Sequence, residues 1–514
     1  MKSLKTIKIV IAASTLFMLV FLCLFVSRNA PGLTALAAVI ALAAGYGLVY
    51  LAAVRRLFTT ARQAGGSKVL AAVCVLLSPV LLVFLFLEAT VLDYYQPLSL
   101  YDDAIAALAL WWGLLAVACI LSLLAARAAL PALARICLVA LAAWPLAASL
   151  WWINSPEPGE AVLKNIHVYV GGNGGYDTYR IPGLVLIPAG SRLGSGEVLV
   201  ADRLLAFAEA RRDGALDKGV IDLVLKSSDD GGESWGPQTV ICRHEAAGRR
   251  GKCGNPTPLF DRDAGRIVLA FNKSGLDTDA WHHSSHVMFS EDGGQSWGDA
   301  REISNDNLVF GPGKGIQKRQ APHPGRLLLP GHFGGKAMLV FSDDHGASWQ
   351  RGPGLAGGDE TDVAERADGS LYLATRHLAP VSRAPEPNGR QFSISSDGGD
   401  RWPDLLIDQQ LPTPVCQASV ISAEGDSLLF SNPAHHRSRA RMTLRHSPDG
   451  GYSWDEGLLV YPGPSGYSVL ARGSEGSIYL RYENGNMAYS ERISRARMGP
   501  QALQAGLTAE DSEK

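Results

Sequence analysis

The sequence predicts an all-β six-bladed β-propeller preceded by an α-helical transmembrane domain of about five helices. Two observations predict this. Five charge-free apolar runs lie within the first 153 residues, and a short turn motif recurs five times in the rest. Composition changes at the same point, from Ala, Leu and Val to the Gly, Asp, Arg and Ser of a soluble domain. We therefore expect a transmembrane domain at 1–153, a linker at 154–163, a propeller at 164–495 and a flexible tail at 496–514.

The apolar runs have the length of membrane spans, because about 20 residues of helix cross the hydrocarbon core. They lie at 9–26, 33–54, 69–87, 105–124 and 136–153. A cleaved signal peptide is the alternative for the first run, but that run lacks a small-residue cleavage site and further spans follow it. Ionisable residues are nearly absent from the spans, so they predict an anchor, or a surface for a partner or for transport, rather than an ion pathway.

Charged loops predict the orientation of the spans. Lysine and arginine precede span one and separate spans two from three and four from five, whereas the other loops hold Arg28 or aspartates. Positive loops stay in the cytoplasm. We therefore expect a cytoplasmic amino terminus, a lipid bilayer around the spans, and everything after Trp152 to be periplasmic or extracellular. The net charge of −2 and the lack of a basic stripe argue against a nucleic-acid partner.

Three cysteines belong to the predicted soluble part. Cys242 and Cys253 flank a polar loop, and in an oxidising compartment they could close it as a disulfide, although the sequence leaves the pairing open. Four other cysteines lie in the spans, where packing explains them. No cysteine or histidine spacing predicts a zinc site.

The soluble part contains the motif Ser-x-Asp-x-Gly-x-x-Trp five times. Successive motif aspartates are 62, 52, 53 and 52 residues apart, and they are Asp230, Asp292, Asp344, Asp397 and Asp449. This period is typical of a four-stranded propeller blade, and the length of the segment suits six blades.

The motif has the chemistry of a turn. Its aspartate can accept backbone N–H bonds, its glycines supply positive φ, and its tryptophan can pack between neighbouring sheets. A calcium-binding or catalytic role for these aspartates is the alternative. We reject it because residues repeated in every blade cannot converge on one central site.

The stretch "YRIP" places Arg180 in an apolar strand-like run, where a buried guanidinium requires an anion. Together with the turn repeats, "YRIP" resembles the exo-α-sialidase (neuraminidase) family with its Asp boxes. The resemblance extends from about residue 164 to 491. Further family elements follow in order: "FAEARRDGALDKGVIDLVLKSSDDGG", "GNPTPLFD", "GPGKGIQ", "GDETDVAERADGSLYLATR", "PVCQASVI", "SNPAHHRSRARMTLRHSPDGG", "SGYSVLA" and "LRYE".

The resemblance implies that three arginines, here called the arginine clamp, hold the carboxylate of a sialic acid: Arg180, Arg376 and Arg439. Arg437 and Arg441 are alternatives for the third member. Arg211, or else Arg212, is expected to contact the polar edge of the sugar, and Glu483 is expected to support Arg180.

The resemblance also implies the catalytic residues. Tyr467 is the expected nucleophile, because the substrate carboxylate would repel an acidic one. Glu360 is expected to take the phenol proton, with Glu365 as the local alternative. Asp217 is the expected general acid; Asp213 is the alternative on the same loop, and Asp222 is expected to be a strand residue.

These residues predict a membrane-anchored exo-α-sialidase that hydrolyses terminal α-linked sialic acids with retention through a tyrosyl-enzyme intermediate. Its expected partners are sialylated glycoproteins, glycolipids and oligosaccharides, and no cofactor or metal is expected. The alternatives are a trans-sialidase, a glycosidase for a related nonulosonic acid, and a noncatalytic sialoglycan-binding propeller.

Overall fold

The computed structural model describes residues 165–499 except 218, 248–250, 278–279, 378–388, 437 and 487. These residues form 25 β-strands and one short 3₁₀ helix, His244–Ala247, and no α-helix occurs among them. In this described part no helix is long and apolar enough to span a bilayer. The five predicted spans, the linker and the last 15 residues of the predicted tail lie outside the described residues.

The strands form four sheets, which we divide into six consecutive antiparallel groups. A single parallel bridge between Ile221 and Lys252 joins the first two groups, and one long strand joins the last two. The first group is β2 (Thr178–Ile187), β3 (Arg203–Arg211), β4 (Ile221–Ser228) and β5 (Thr239–Cys242). The second is β6 (Lys252–Asp261), β7 (Arg266–Asp277), β8 (Ala280–Ser290) and β9 (Arg301–Ser304). The third is β10 (Val309–Phe310), β11 (Ile316–Gln317), β12 (Leu327–Phe333), β13 (Lys336–Ser342), β14 (Gln350–Arg351) and β15 (Leu355–Ala356).

The later groups share one long strand. The fourth group is β16 (Gly358–Glu365), β17 (Leu371–His377), β18 (Gly389–Ser395) and β19 (Leu406–Pro412). The fifth is β20 (Ser419–Ser422), β21 (Leu428–Pro433), β22 (Ala440–Ser447) and the first half of β23 (Leu458–Arg472). The sixth is the second half of β23, β24 (Ile478–Asn484), β25 (Arg492–Met498) and β1 (Asn165–Val170).

The first described strand pairs with the last one. β1 is the edge strand of the last sheet and pairs antiparallel with β25, with His167 opposite Ser494. β25 continues to Met498, beyond the boundary predicted at residue 495, because Ala496 and Met498 are buried in register with β24. The two ends of the described chain are therefore held in one sheet.

Neighbouring groups pack through the first strand of each, except that the third group packs on the fourth through β12. β2 contacts β6 on one side and β23 on the other, and β16 contacts β12 and β20. The repeat tryptophans lie in the seams, as predicted: the ring of Trp297 meets Phe207 of the preceding group at 5.9 Å between centroids, and Trp454 meets Tyr372 at 6.1 Å. These two seams therefore bury aromatic surface from both groups.

The five repeats form turns stabilised by their own side chains. In each turn the aspartate accepts the backbone N–H of the residue four positions later, at 2.8–3.0 Å. The serine that opens the repeat accepts a glycine N–H in the same turn, as Ser228 Oγ does from Gly232 at 2.8 Å. This pairing satisfies the backbone donors of a tight connection.

A disulfide joins Cys242, the last residue of β5, to Cys253 in β6, with 5.9 Å between their Cα atoms. It closes the polar loop between the first and second groups, which is the pairing that the sequence left open.

Candidate functional site

The candidate site residues come from the same end of several sheets. Arg180 on β2 lies opposite Glu209 on β3, and the end of β16 that carries Glu360 pairs with the end of β17 that carries Arg376. Tyr467 on β23 stands near the start of the segment that pairs with β24. Residues far apart in the sequence therefore meet because their strands begin or end on one side.

Two prolines follow residues with unusual backbone conformation at this end. Ile181 has φ 57° and precedes Pro182, and Asn255 has φ 55° and precedes Pro256. Such a conformation costs a non-glycine residue about 1–3 kcal/mol. In both cases the strained residue donates its N–H to a buried carboxylate: Ile181 to Glu483 at 2.8 Å, and Asn255 to Glu209 at 3.0 Å.

Glu483 is the anion that meets the buried guanidinium of Arg180. Its two carboxylate oxygens accept from Nε and Nη2 of Arg180, each at 3.1 Å, and Glu483 is fully buried. The same carboxylate accepts the backbone N–H of Ile181 and, at 3.0 Å, that of Tyr467. The family resemblance implied that Glu483 supports Arg180, and the observed contacts join the start of β2 to the strand of Tyr467.

Tyr467 donates its hydroxyl proton in a short hydrogen bond to Glu360 Oε1. Arg376 holds both residues: its Nη1 lies 2.9 Å from Glu360 Oε2 and 3.3 Å from the Tyr467 oxygen. Burial raises the pKa of Glu360 above its ordinary value. Burial and the adjacent Glu360 carboxyl also raise the pKa of Tyr467. Tyr467, Glu360 and Arg376 therefore form one buried, hydrogen-bonded cluster.

All three members of the arginine clamp surround Tyr467. The guanidinium carbons of Arg180 and Arg439 lie 5.3 and 5.0 Å from the centroid of its ring, and both also lie over Tyr489, at 5.0 and 5.1 Å. Arg439 donates to Val415 O at 3.0 Å and has no carboxylate within 4 Å in the described part of the chain. The site therefore contains a buried positive charge suited to an external anion.

Asp217 lies on the loop between β3 and β4 and faces two arginines. Its Oδ1 is 2.8 Å from Arg211 Nη2 and 3.4 Å from Arg180 Nη1, although 71% of its side chain is exposed. Burial of its carboxyl would raise the pKa of Asp217, but Arg211 and Arg180 outweigh it and hold the pKa well below the usual range. A pKa this low favours the ionised form of Asp217 near neutral pH.

Most of the alternative candidates occupy other positions. Asp222 is buried in β4, as predicted, and accepts from Tyr176 at 2.7 Å and from Arg212 at 3.0 Å. Glu365 lies at the far end of β16, where it accepts from Lys318 at 2.8 Å. Arg441 is exposed and Asp213 lies on the surface, whereas Arg437 is outside the described residues.

Several residues that the sequence analysis missed complete the site. Asp359 bridges Arg376 and His332, whose Nδ1 is 3.1 Å away. Glu209 accepts from Arg211 and lies 3.2 Å from Lys252. In the quoted motifs Asp359 directly precedes Glu360, and Glu209 stands two residues before Arg211. This nearness to predicted site residues was the signal that the sequence offered. The sequence offered no such signal for His332 and Lys252, because only the fold brings these residues near the site.

Two groups of potential metal ligands occur in the described residues: Asp222, His244 and Glu245, and Asp261, Asp263 and His345. The buried aspartates of both groups are engaged by protein donors, Asp222 by Tyr176 and Asp261 by Gln317 at 2.9 Å. Neither group includes a residue that contacts Tyr467. We assign neither a role in the candidate site.

The family described as BNR repeat-like domain matches residues 202–480, more than half of the chain. A sialidase of Micromonospora viridifaciens is 31% identical over 366 residues, which cover 64% of this chain and 53% of that protein. The chain therefore spans about half the length of this relative.

Solved structures show the same fold. A Hadza microbial sialidase superposes with a TM-score of 0.55 at 24% identity, covering 66% of this chain and 69% of its own. The intramolecular trans-sialidase from Ruminococcus gnavus, in complex with oseltamivir carboxylate, gives 0.53 at 18% identity, covering 65% and 97%. Both identities are low, so these structures establish a shared all-β sialidase-like fold and no more. By the family match and these similarities, the chain belongs to the BNR repeat-like family, in which its relatives are named sialidases.

Proposed function

We propose that this protein is a membrane-anchored exo-α-sialidase that cleaves terminal α-linked sialic acids with retention. The observation that carries the proposal is the hydrogen-bonded pair of Tyr467 and Glu360 surrounded by the arginine clamp. A noncatalytic glycan-binding protein would have no need of a phenol that shares its proton with a buried carboxyl. The names of the sequence relatives agree with this activity.

The arginine clamp binds the substrate carboxylate. Guanidinium groups pair with carboxylates through two parallel charge-assisted bonds, which fix orientation as well as position. Arg439 has its charge uncompensated by any carboxylate among the described residues, so it gains most from the incoming anion. Arg180 and Arg376 are held in place by Glu483 and Asp359, which keeps their remaining N–H groups directed at the ligand.

Tyr467 attacks the anomeric carbon in the first step. Its oxygen forms a bond to that carbon while the glycosidic C–O bond breaks, and its proton passes to Glu360. A phenol with a raised pKa is a weak nucleophile at neutral pH, so this transfer to Glu360 is required. The positive charge of Arg376 beside both oxygens stabilises the negative charge that develops.

Asp217 gives a proton to the departing glycosidic oxygen. Asp217 must first become protonated. In the described structure Arg180 pairs with Asp217 and favours its charged form. When the substrate carboxylate pairs with Arg180 instead, the pKa of Asp217 rises and protonation becomes easier. In the second step a water attacks the anomeric carbon and gives its proton to Asp217. The bond to Tyr467 then breaks, and the phenol recovers its proton from Glu360.

We also propose that the six strand groups are the blades of a propeller with the site at one end of its axis. The pairing of β1 with β25 and the contacts of β2 with both β6 and β23 support a closed ring. In such a ring the inner strands of all blades meet at the axis. This arrangement would explain why the three arginines of the clamp come from three different groups, the first, fourth and fifth.

The membrane anchor and the extracytoplasmic position of the site are proposals from the sequence. A reporter that is active only outside the cytoplasm, fused after Glu160, should be active, and the same reporter fused after Arg62 should be silent. The reverse pattern would overturn the orientation.

Product analysis tests the activity. NMR of the reaction with a panel of α-linked nonulosonic acid glycosides should detect free sialic acid, with the α-anomer formed before mutarotation. An anhydro product or transfer to an added sugar acceptor would favour the trans-sialidase alternative. A β-anomer as the first product would exclude retention. If no glycoside is turned over, the noncatalytic glycan-binding alternative would be favoured.

A further inference from the structure

We propose that Tyr489 is a positioning residue for the arginine clamp: its ring supports the guanidinium groups of Arg180 and Arg439 without neutralising them. This role rests on the proposed function, because it belongs to the same site. Tyr489 lies outside the motifs that predicted the site, in the turn between β24 and β25. It acts through the two arginines, and we assign it no contact with the reacting atoms.

The position of the Tyr489 ring is fixed by its surroundings. Glu491 stabilises the turn by accepting the backbone N–H of Ala488 at 2.9 Å. Tyr489 is 4% exposed, and its ring lies against the backbone just before Tyr467, where a Cβ added to Gly466 would come 2.8 Å from the Cδ2 atom of the ring. The ring therefore occupies one defined place beside the proposed nucleophile.

Two clamp arginines lie over this ring. The Cζ atoms of Arg180 and Arg439 are 5.0 and 5.1 Å from its centroid, within the roughly 6 Å over which an aromatic face attracts a cation. The same two atoms lie 5.3 and 5.0 Å from the centroid of the Tyr467 ring. Each of these guanidinium groups is therefore supported by two tyrosine rings.

Arg439 depends on this support more than the other clamp arginines do. Each of the other two pairs with a buried carboxylate. Within the described part of the chain Arg439 has no carboxylate within 4 Å; it donates to Val415 O at 3.0 Å, and its buried Nε has no acceptor. Glu360 lies beyond that distance, although the charge of Arg439 still favours its ionised form. The tyrosine rings therefore supply support that no ion pair supplies.

A neutral ring supports a cation in a way that suits anion binding. The negative face of an aromatic ring attracts a guanidinium group without cancelling its charge. A protein carboxylate in the same place would pair with Arg439 and compete with the carboxylate of the substrate. The ring also offsets part of the repulsion that the charge of Arg180 exerts on Arg439. Tyr489 thus holds Arg439 in place and leaves its charge available for the ligand.

Tyr467 cannot give this support unchanged throughout the proposed reaction. It bonds to the sugar in the first step and is released in the second, so the charge on its oxygen changes. Tyr489 takes no part in these steps, and its ring stays the same from substrate binding to product release. The clamp holds the substrate carboxylate before as well as during bond breaking. Loosening Arg439 should therefore raise KM more than it lowers kcat.

A fluorination series at position 489 tests the role of the ring face. Fluorine withdraws electron density from the face and leaves the shape of the ring nearly unchanged, so it weakens cation binding while packing remains. Tyr489→Phe should keep KM for a sialoside within about threefold of the parent, because the face is retained. Mono-, di- and trifluorinated phenylalanine should then raise KM in steps, to at least about tenfold that of Tyr489→Phe, with kcat changed less than about threefold. A KM that does not follow fluorination would overturn the role of Tyr489.

Two further measurements locate the effect. In the Arg439→Ala background the trifluorinated residue should raise KM by no more than about threefold, because the cation that depends most on the ring is gone. Equal increases in both backgrounds would show that the ring does not act through Arg439 and would overturn the proposal. The matched control is Tyr479, which is 3% exposed, lies 5.7 Å from Cζ of Arg497 and stands at the other end of β24 from Glu483. The same fluorination there should leave KM unchanged, and a similar rise would also overturn the proposal.

The affinity for free sialic acid separates this role from the proposed activity. An NMR titration of the full chain in detergent should give a Kd that rises along the same series by at least about tenfold. Binding that follows the series without turnover of any sialoside would support the role of Tyr489 and overturn the proposed hydrolysis. Turnover with KM and Kd both independent of the series would overturn the role of Tyr489 alone. A parent that neither binds nor cleaves would overturn the clamp and Tyr489 together.

Discussion

Replacing Glu483 with alanine removes the carboxylate that joins three parts of the candidate site. The fully buried Glu483 accepts two bonds from Arg180 and one each from the backbone N–H groups of Ile181 and Tyr467. The variant leaves Arg180, which is only 4% exposed, as a buried cation whose one remaining ion-pair partner among the described residues is the exposed Asp217. Two buried amides also lose their acceptor.

The expected cost follows from these contacts. Removing one partner of a buried ion pair destabilises a protein by about 3–5 kcal/mol. With an unfolding entropy of about 2.1 cal/mol/K per residue over the 335 residues from 165 to 499, about 0.7 kcal/mol shifts Tm by one degree. Glu483→Ala should therefore lower Tm by about 4–7 °C.

Near-UV circular dichroism of the full chain in detergent measures this shift. Asp229→Ala is the matched control, because it removes an exposed carboxylate that pairs with Arg203 at 2.7 Å. An exposed pair contributes about 0–1 kcal/mol, so the control should lose no more than about 1–2 °C. Equal shifts in the two variants would refute the reasoning that Glu483 holds the site together.

Three further predictions concern the arginine clamp, the acid and the turns. Changing each clamp arginine singly to alanine should cost at least about 2 kcal/mol, roughly thirtyfold in kcat/KM; full activity in any of them removes that residue from the clamp. Asp217→Ala should lose most activity on natural glycosides but keep much more on an aryl glycoside whose phenolate leaves unaided, and equal losses would contradict its role. Hydrogen bonds from Ser348 and other groups of its turn lower the pKa of Asp344 from 3.8 to about 2. Because the folded state then binds this proton less tightly than the unfolded state, the stabilisation is complete above pH 4 and is lost as pH falls toward 2; Asp344→Asn should flatten that part of the Tm profile, and an unchanged profile would contradict the assignment.

The repeats and the ordered motifs made much of the fold and site predictable. The turn chemistry of Ser-x-Asp-x-Gly-x-x-Trp is local, so the hydrogen bonds of Asp344 and the seam position of Trp297 could be expected from the sequence. Arg180, Glu360 and Tyr467 were selected by the family resemblance, and the structure brings them together.

Other features depend on contacts between distant strands and leave no local signal. His332 reaches Asp359 only because β12 packs beside β16. The ion pairs of Asp217 with Arg211 and Arg180 depend on how the loop after β3 folds back over the site. The long strand β23 contributes one half to each of two groups, and the point of division could not be predicted from its sequence, because both halves have the same strand-like composition.

Trapping the covalent intermediate tests the central claim most directly. A fluorinated sialosyl fluoride should label the enzyme, because the inductive fluorine slows release of the sugar from its aryl glycosidic bond to tyrosine, and peptide mass spectrometry should locate the label on Tyr467. Tyr467→Phe should remain unlabelled while keeping the fold, as judged by an unchanged circular dichroism spectrum. A label on any other residue, or rapid turnover of the reagent by Tyr467→Phe, would contradict the proposed mechanism.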